Sequence, residues 1–125
     1  MIKIILDTNF LVYCAENKVD YATEIGGIIN EGYELVVPQQ VIDELRELSE
    51  KAKKFSDRTA AFLALKILKA NNVIVISARG RYADDAILEM VRMGNIVATL
   101  DLELRNKLHN YRKIVIQGVK KIAFE

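Results

Sequence analysis

Ile2-Lys3-Ile4-Ile5-Leu6-Asp7-Thr8-Asn9 opens with a run that is apolar but for one lysine, then turns abruptly polar. Branched residues at such density favour a strand. A strand apolar at nearly every position, rather than every second one, is covered on both faces, as in parallel sheets. Similar Ile- and Val-rich runs recur at residues 34–37, 73–76, 95–100 and 113–116. Segments between them carry helical patterns, over 9–16, 21–31, 39–51, 57–70, 84–93 and 102–111. This alternation predicts an α/β chain folded as a three-layer α/β/α sandwich with a central, mainly parallel sheet. Right-handed crossovers then place helices on both faces. Residues 119–124 read as a final edge strand or a loosely docked end, and the charged stretch 49–58 as the one flexible segment.

The 125 residues are expected to form a single domain over 1–125, since a chain of this length buries roughly two-thirds of its unfolded surface in one core. With 51% hydrophobic and 28% charged residues, disorder is excluded. No apolar run approaches the ~20 residues that cross a bilayer, and Asp7 interrupts the start too early for a secretory core. A cytoplasmic protein without membrane contact is expected. The single cysteine, Cys14, allows neither an internal disulfide nor a thiolate zinc site and is expected to be buried packing. The single histidine, His109, is expected on the surface. A net charge of +1 advertises no global attraction to nucleic acid, so phosphate binding must come from local patches or metal ions.

Ligands of open parallel sheets bind outside the carboxyl ends of the strands. Asp7 follows the first strand there and Asp101 the fourth, while Glu44 and the pair Asp84-Asp85 sit early in helices that follow strands. Each aspartate has a second reading as a helix cap. Capping does not account for Glu44, inside its helix, nor for acids gathered at one sheet edge, where like charges repel unless a cation lies among them. Carboxylates with water are the ligands Mg²⁺ or Mn²⁺ prefers, and such ions polarise phosphoryl oxygens and activate water. Helical phase places Val41, Leu45 and Leu48 on a buried stripe that Glu44 borders, with Asp43 in solvent. The same phase turns Asp84, which precedes Ile87, Leu88 and Val91 on its face, inward and Asp85 outward.

In this order, Ile-Leu-Asp7-Thr-Asn9, Val-Ile-Asp-Glu44-Leu, Ala-Asp84-Asp85-Ala-Ile and Ala-Thr99-Leu-Asp101 resemble the motifs of the PIN domain family along nearly the whole chain. The resemblance implies a Rossmann-like sandwich and a metal-dependent endoribonuclease acting on RNA phosphodiesters. It implies that Asp7, Glu44, Asp84 and Asp101 are the catalytic and metal-holding acids for Mg²⁺ or Mn²⁺. Asn9, Thr99 and Asp85 would be supports: Asn9 for Asp7 or a water, Thr99 for Asp101, and Asp85 for the helix start. The resemblance extends to ribosomal-RNA-processing members and to VapC-type toxins. It thus implies an antitoxin or ribosome-assembly partner and, for a small stand-alone member, a homodimer.

Basic residues offer substrate contacts. Arg79 and Arg81 precede the acidic helix and are candidates to grip RNA phosphates, with Lys51, Lys53, Lys54 and Arg58 a second group and Tyr82 a candidate stacking ring. Two rivals stand beside the nuclease. One is a non-catalytic module binding RNA or a ribosome precursor, its acids only capping helices. The other is a nucleotide-binding or phosphoacceptor domain, against which Gly26-Gly27 falls inside a helical pattern and Lys120 is poorly placed.

Overall fold

The computed structural model describes residues 1–77 and 83–125. In chain order the elements are β1 (Ile2–Leu6), α1 (Thr8–Asn17), α2 (Tyr21–Ile28), β2 (Tyr33–Pro38), α3 (Gln39–Lys51), α4 (Phe55–Ala70), β3 (Ile74–Ile76), α5 (Ala83–Arg92), β4 (Ile96–Ala98), α6 (Leu102–Lys107), β5 (Lys113–Gln117) and β6 (Lys121–Phe124). They form an α/β fold around one six-stranded sheet in the order β3-β2-β1-β4-β5-β6. All pairings are parallel except the last, where β6 runs antiparallel to β5 through a tight turn with Gly118 at φ 63°. That positive φ favours glycine.

The central strand divides its side chains between two cores, as the two-residue period of a strand requires. Ile4 and Leu6 pack with residues of α1 to α4, including Phe10, Leu11, Ile25, Val41, Leu45 and Ala61. Ile5 points the other way, among Ile87, Val91, Leu104 and Leu108 of α5 and α6 and the segment that follows α6. Helices therefore cover both faces, and the near-continuous apolarity of β1 follows directly from that burial.

Several boundaries differ from those the sequence suggests. The stretch 49–58 is mostly helical: α3 runs to Lys51 and α4 starts at Phe55, leaving only a short corner. Arg58 holds that corner by donating to the carbonyls of Ala52 (2.6 Å) and Lys53 (3.2 Å). α6 stops at Lys107 instead of reaching Tyr111, because the buried Lys113 ammonium donates to the Leu108 and Tyr111 carbonyls (2.9 and 2.8 Å) and ends the helical ladder. Leu48, expected on the buried stripe of α3, is exposed. Cys14 is buried, and burial pushes its thiol up to about 12. No helix among the described residues is long and apolar enough to cross a membrane.

Candidate active site

The winding of the sheet reverses between β1 and β4: β2 and β3 lie on one side of β1, β4 to β6 on the other. After β1 the chain enters α1 on one face, and after β4 it enters α6 on the opposite face. Divergent connections at such a switch point open a crevice outside the carboxyl ends of the strands. A cleft of about 490 Å³ lies there. Its size is within the ~300–1,000 Å³ of ligand-binding clefts.

Asp7, Glu44, Asp84 and Asp101 all line this cleft, brought from β1, α3, α5 and the end of β4. Asp7 is only 4% exposed. Its Oδ1 accepts from the Thr8 N–H at 2.8 Å and its Oδ2 from the Thr99 hydroxyl at 2.5 Å. Glu44 Oε2 accepts from the Thr8 hydroxyl at 2.7 Å, so one threonine serves two of the acids. Asp101 caps α6, its Oδ1 accepting from the N–H groups of Glu103 (2.9 Å) and Leu104 (3.4 Å). Asp84 is half-buried in the first turn of α5, whereas Asp85 is exposed and does not line the cleft.

Capping and clustering thus coexist. Asp7 and Asp101 are N-cap residues of α1 and α6, and both face the cleft. Asp84 lies inside its helix, after Ala83.

Thr99 meets both Asp101, its expected partner, and Asp7. Thr99 is fully buried and donates to the Asp7 carboxylate, while its oxygen accepts from the Asp101 backbone N–H at 3.1 Å. The Asn9 carboxamide oxygen accepts from the Leu100 N–H at 3.2 Å and lies 3.4 Å from the Thr99 hydroxyl, tying α1 to the chain after β4. Sequence reasoning also passed over Glu16 and Tyr13, which line the cleft beside Asn9. Tyr13 comes four and Glu16 seven residues after Asn9, the spacing that places them on one helical face. Arg79, Arg81 and Tyr82 lie outside the described residues.

Among the described residues, five carboxylates line the cleft with no lysine, arginine or histidine beside them. Burial pushes the Asp7 carboxyl from 3.8 up to about 6 against the lowering hydrogen bonds of Thr99 and Thr8, and the charges of Asp84 and Glu44 add to the rise. Asp84 is raised chiefly by burial and then by Asp101, with Lys107 pulling the other way. The four acids are therefore electrostatically coupled, Glu44 to Asp7 to Asp84 to Asp101. A divalent cation would relieve this repulsion. Among the described residues no three Asp, Glu, His or Cys side chains converge on a single ion position. The all-oxygen set still suits Mg²⁺, which keeps several waters and takes one or two carboxylates instead of a closed protein cage.

Comparison with known proteins agrees with this arrangement of strands and helices. The family model described as a PIN like domain matches residues 4–121. Ribonuclease VapC4 of Methanocaldococcus jannaschii is 37% identical over 111 residues, spanning 86% of this chain and 83% of that protein. A structure of the PIN domain endonuclease Utp24 superposes with a TM-score of 0.77 at 25% identity, covering 98% of this chain and 90% of that one. A domain of a functionally unknown protein from Methanocaldococcus jannaschii superposes with a TM-score of 0.58 at 15% identity, over 97% of this chain and 95% of that one, a likeness of fold alone. With a match over almost its whole length and a relative this similar, the chain belongs to the PIN-like domain family.

Proposed function

We propose that this chain is a metal-dependent endoribonuclease that hydrolyses RNA phosphodiesters in the cleft between β1 and β4. One observation carries the proposal: four carboxylates from four separate elements line a single cleft, with no cationic side chain among the described residues that line it. Phosphate would be repelled there unless divalent cations came with it. Bound Mg²⁺ or Mn²⁺ would supply Lewis acidity toward the phosphoryl oxygens and lower the pKa of water. Asp7, Glu44, Asp84 and Asp101 are the residues to hold such ions. Thr99 fixes the Asp7 carboxylate, Thr8 fixes Glu44, and Asn9 keeps the chain after β4 against α1. These contacts preorganise the oxygens for in-line attack.

Likeness to Ribonuclease VapC4 supports RNA as the substrate and a toxin role with an antitoxin partner. Likeness to the PIN domain endonuclease Utp24 supports endonucleolytic cleavage. The resemblance of the motifs to ribosomal-RNA-processing members gives a second reading, an RNA-processing role with a ribosome-assembly partner. On either reading residues 1–125 act as one nuclease domain, in the cytoplasm and as a homodimer.

The test is cleavage of a labelled single-stranded RNA with Mn²⁺, before and after EDTA, by the wild type and Asp7→Asn. Loss in EDTA, return with excess Mn²⁺ and an inactive but folded Asp7→Asn protein are expected. Cleavage that survives Asp7→Asn would overturn the site. Absence of both cleavage and calorimetric Mn²⁺ binding in the wild type would favour the non-catalytic binding module.

A further inference from the structure

The cleft does not end at the carboxylates. Glu44 and Leu48 also line a second depression, which continues along α3 to Glu47, Lys51 and Ala52 at the corner before α4. There cations enter: Lys51, Lys53 and Lys54 are exposed and Arg58 follows one turn into α4, interspersed with the acids Glu47, Glu50 and Asp57. At the same corner the Phe55 ring is 74% exposed. The Arg58 guanidinium lies 5.7 Å from its centroid, and two carbonyls of the corner fix that guanidinium. The motif recurs two helical turns along α4, where Phe62, 54% exposed, carries the Lys66 ammonium 4.9 Å from its ring centroid. Single exposed apolar residues are ordinary. Two exposed aromatic rings, each paired with a cation and the first of them at the corner where the groove from the carboxylates ends, fit the stacking platforms and basic tracks that hold single strands.

Resting on the ribonuclease reading, we propose that the α3–α4 corner is a substrate subsite: RNA leaving the acidic cleft follows α3, its phosphates meet Lys51, Lys53 and Lys54, and a base stacks on Phe55. Phe62 offers a second platform further along α4. The rings recognise any base face, so the subsite adds affinity for longer RNA without selecting sequence.

Binding and cleavage separate this proposal from the catalytic one. Anisotropy of a fluorescent twelve-nucleotide RNA, measured in EDTA, reports binding whether or not the protein cleaves. Phe55→Ala is expected to weaken it roughly 5- to 150-fold, the equivalent of ~1–3 kcal/mol per stacked base. Phe55→Trp is expected to restore it. Lys53→Ala with Lys54→Ala should flatten the dependence of log affinity on log salt by about 0.7 per lost phosphate contact. With Mn²⁺, cleavage of a dinucleotide, which does not reach the corner, should not change. An unchanged affinity in Phe55→Ala, no RNA binding by the wild type, or equal losses in Phe55→Ala and Phe55→Trp would overturn the subsite. So would capture of an apolar helical peptide at Phe55 and Phe62 in place of RNA. Wild-type cleavage with unaffected binding in Phe55→Ala removes only the subsite. Binding through Phe55 without any cleavage removes only the catalytic reading.

Discussion

The Thr99 hydroxyl donates to Asp7 Oδ2 at 2.5 Å, joining the ends of β4 and β1 across 92 residues of sequence. A hydroxyl carries one proton, so giving it to Asp7 leaves Thr99 an acceptor toward the Asp101 backbone. Removing it strips the hydrogen bond that most strongly opposes the rise of the Asp7 carboxyl. Thr99→Val, similar in shape, should therefore raise that carboxyl further and move the acid limb of the cleavage profile to higher pH. Hydrogen bonds to charged groups contribute ~1.5–3 kcal/mol, so activity near neutrality should fall roughly ten- to a hundredfold. Thr99→Ser should retain it. A Val variant with an unshifted acid limb would remove Thr99 from any role in holding Asp7.

Asp7 makes the metal-free protein pH-sensitive in a defined direction. Its carboxyl stands near 3.8 in the unfolded chain and at about 6 in the folded one, so the folded state holds the proton more tightly. Stability consequently falls as pH rises between these values, and the penalty is complete above the folded pKa. The difference corresponds to about 3 kcal/mol at most. In EDTA, Asp7→Asn should melt higher than the wild type at about pH 8 and nearly equal to it at about pH 4. Melting curves at both pH values check this, and a gap of the same size at each would contradict it.

The layers of the fold were legible because burial on both faces forces the pattern: Ile4 and Leu6 serve one core and Ile5 the other. Helix ends were less legible. The end of α6 is set by Lys113, which arrives from β5. α4 begins at Phe55 with no side-chain cap to mark it, two residues before the helical pattern that starts at 57. Acids following strands can be read one by one, since topology carries them to the switch point. Their partners cannot. The Thr8–Glu44 bond spans 36 residues and depends on how α3 packs beside α1.

Asp101 has two tasks that substitution can separate. It caps α6 through Oδ1 and contributes a charge to the cleft. Asparagine caps a helix about as well as aspartate, while alanine costs about 1 kcal/mol at such a position. Asp101→Asn should lose activity and keep its melting temperature, whereas Asp101→Ala should lose both. Comparable activity in the Asn variant and the wild type would leave Asp101 only its capping task.

The neighbours Asp84 and Asp85 pose the finest test of the site. Successive helical residues point about 100° apart, so they cannot share a role. Three and seven residues after Asp84 come Ile87 and Val91, both buried against the sheet, which sets the inward face of α5. Asp84 lies on that face, half-buried and lining the cleft, with its carboxyl raised by burial and by Asp101. Asp85 is exposed in the first helical turn, where a negative charge favours the N-terminal dipole. Asp84→Asn should therefore lose most cleavage and weaken Mn²⁺ binding measured by calorimetry. Asp85→Asn should lose at most a fewfold of cleavage and shift the melting temperature slightly downward, by the ~0.3–1 kcal/mol such a charge contributes. The opposite pattern, an inactive Asp85→Asn beside an active Asp84→Asn, would mean that the substrate-bound α5 is rotated by one residue from the phase set by Ile87 and Val91.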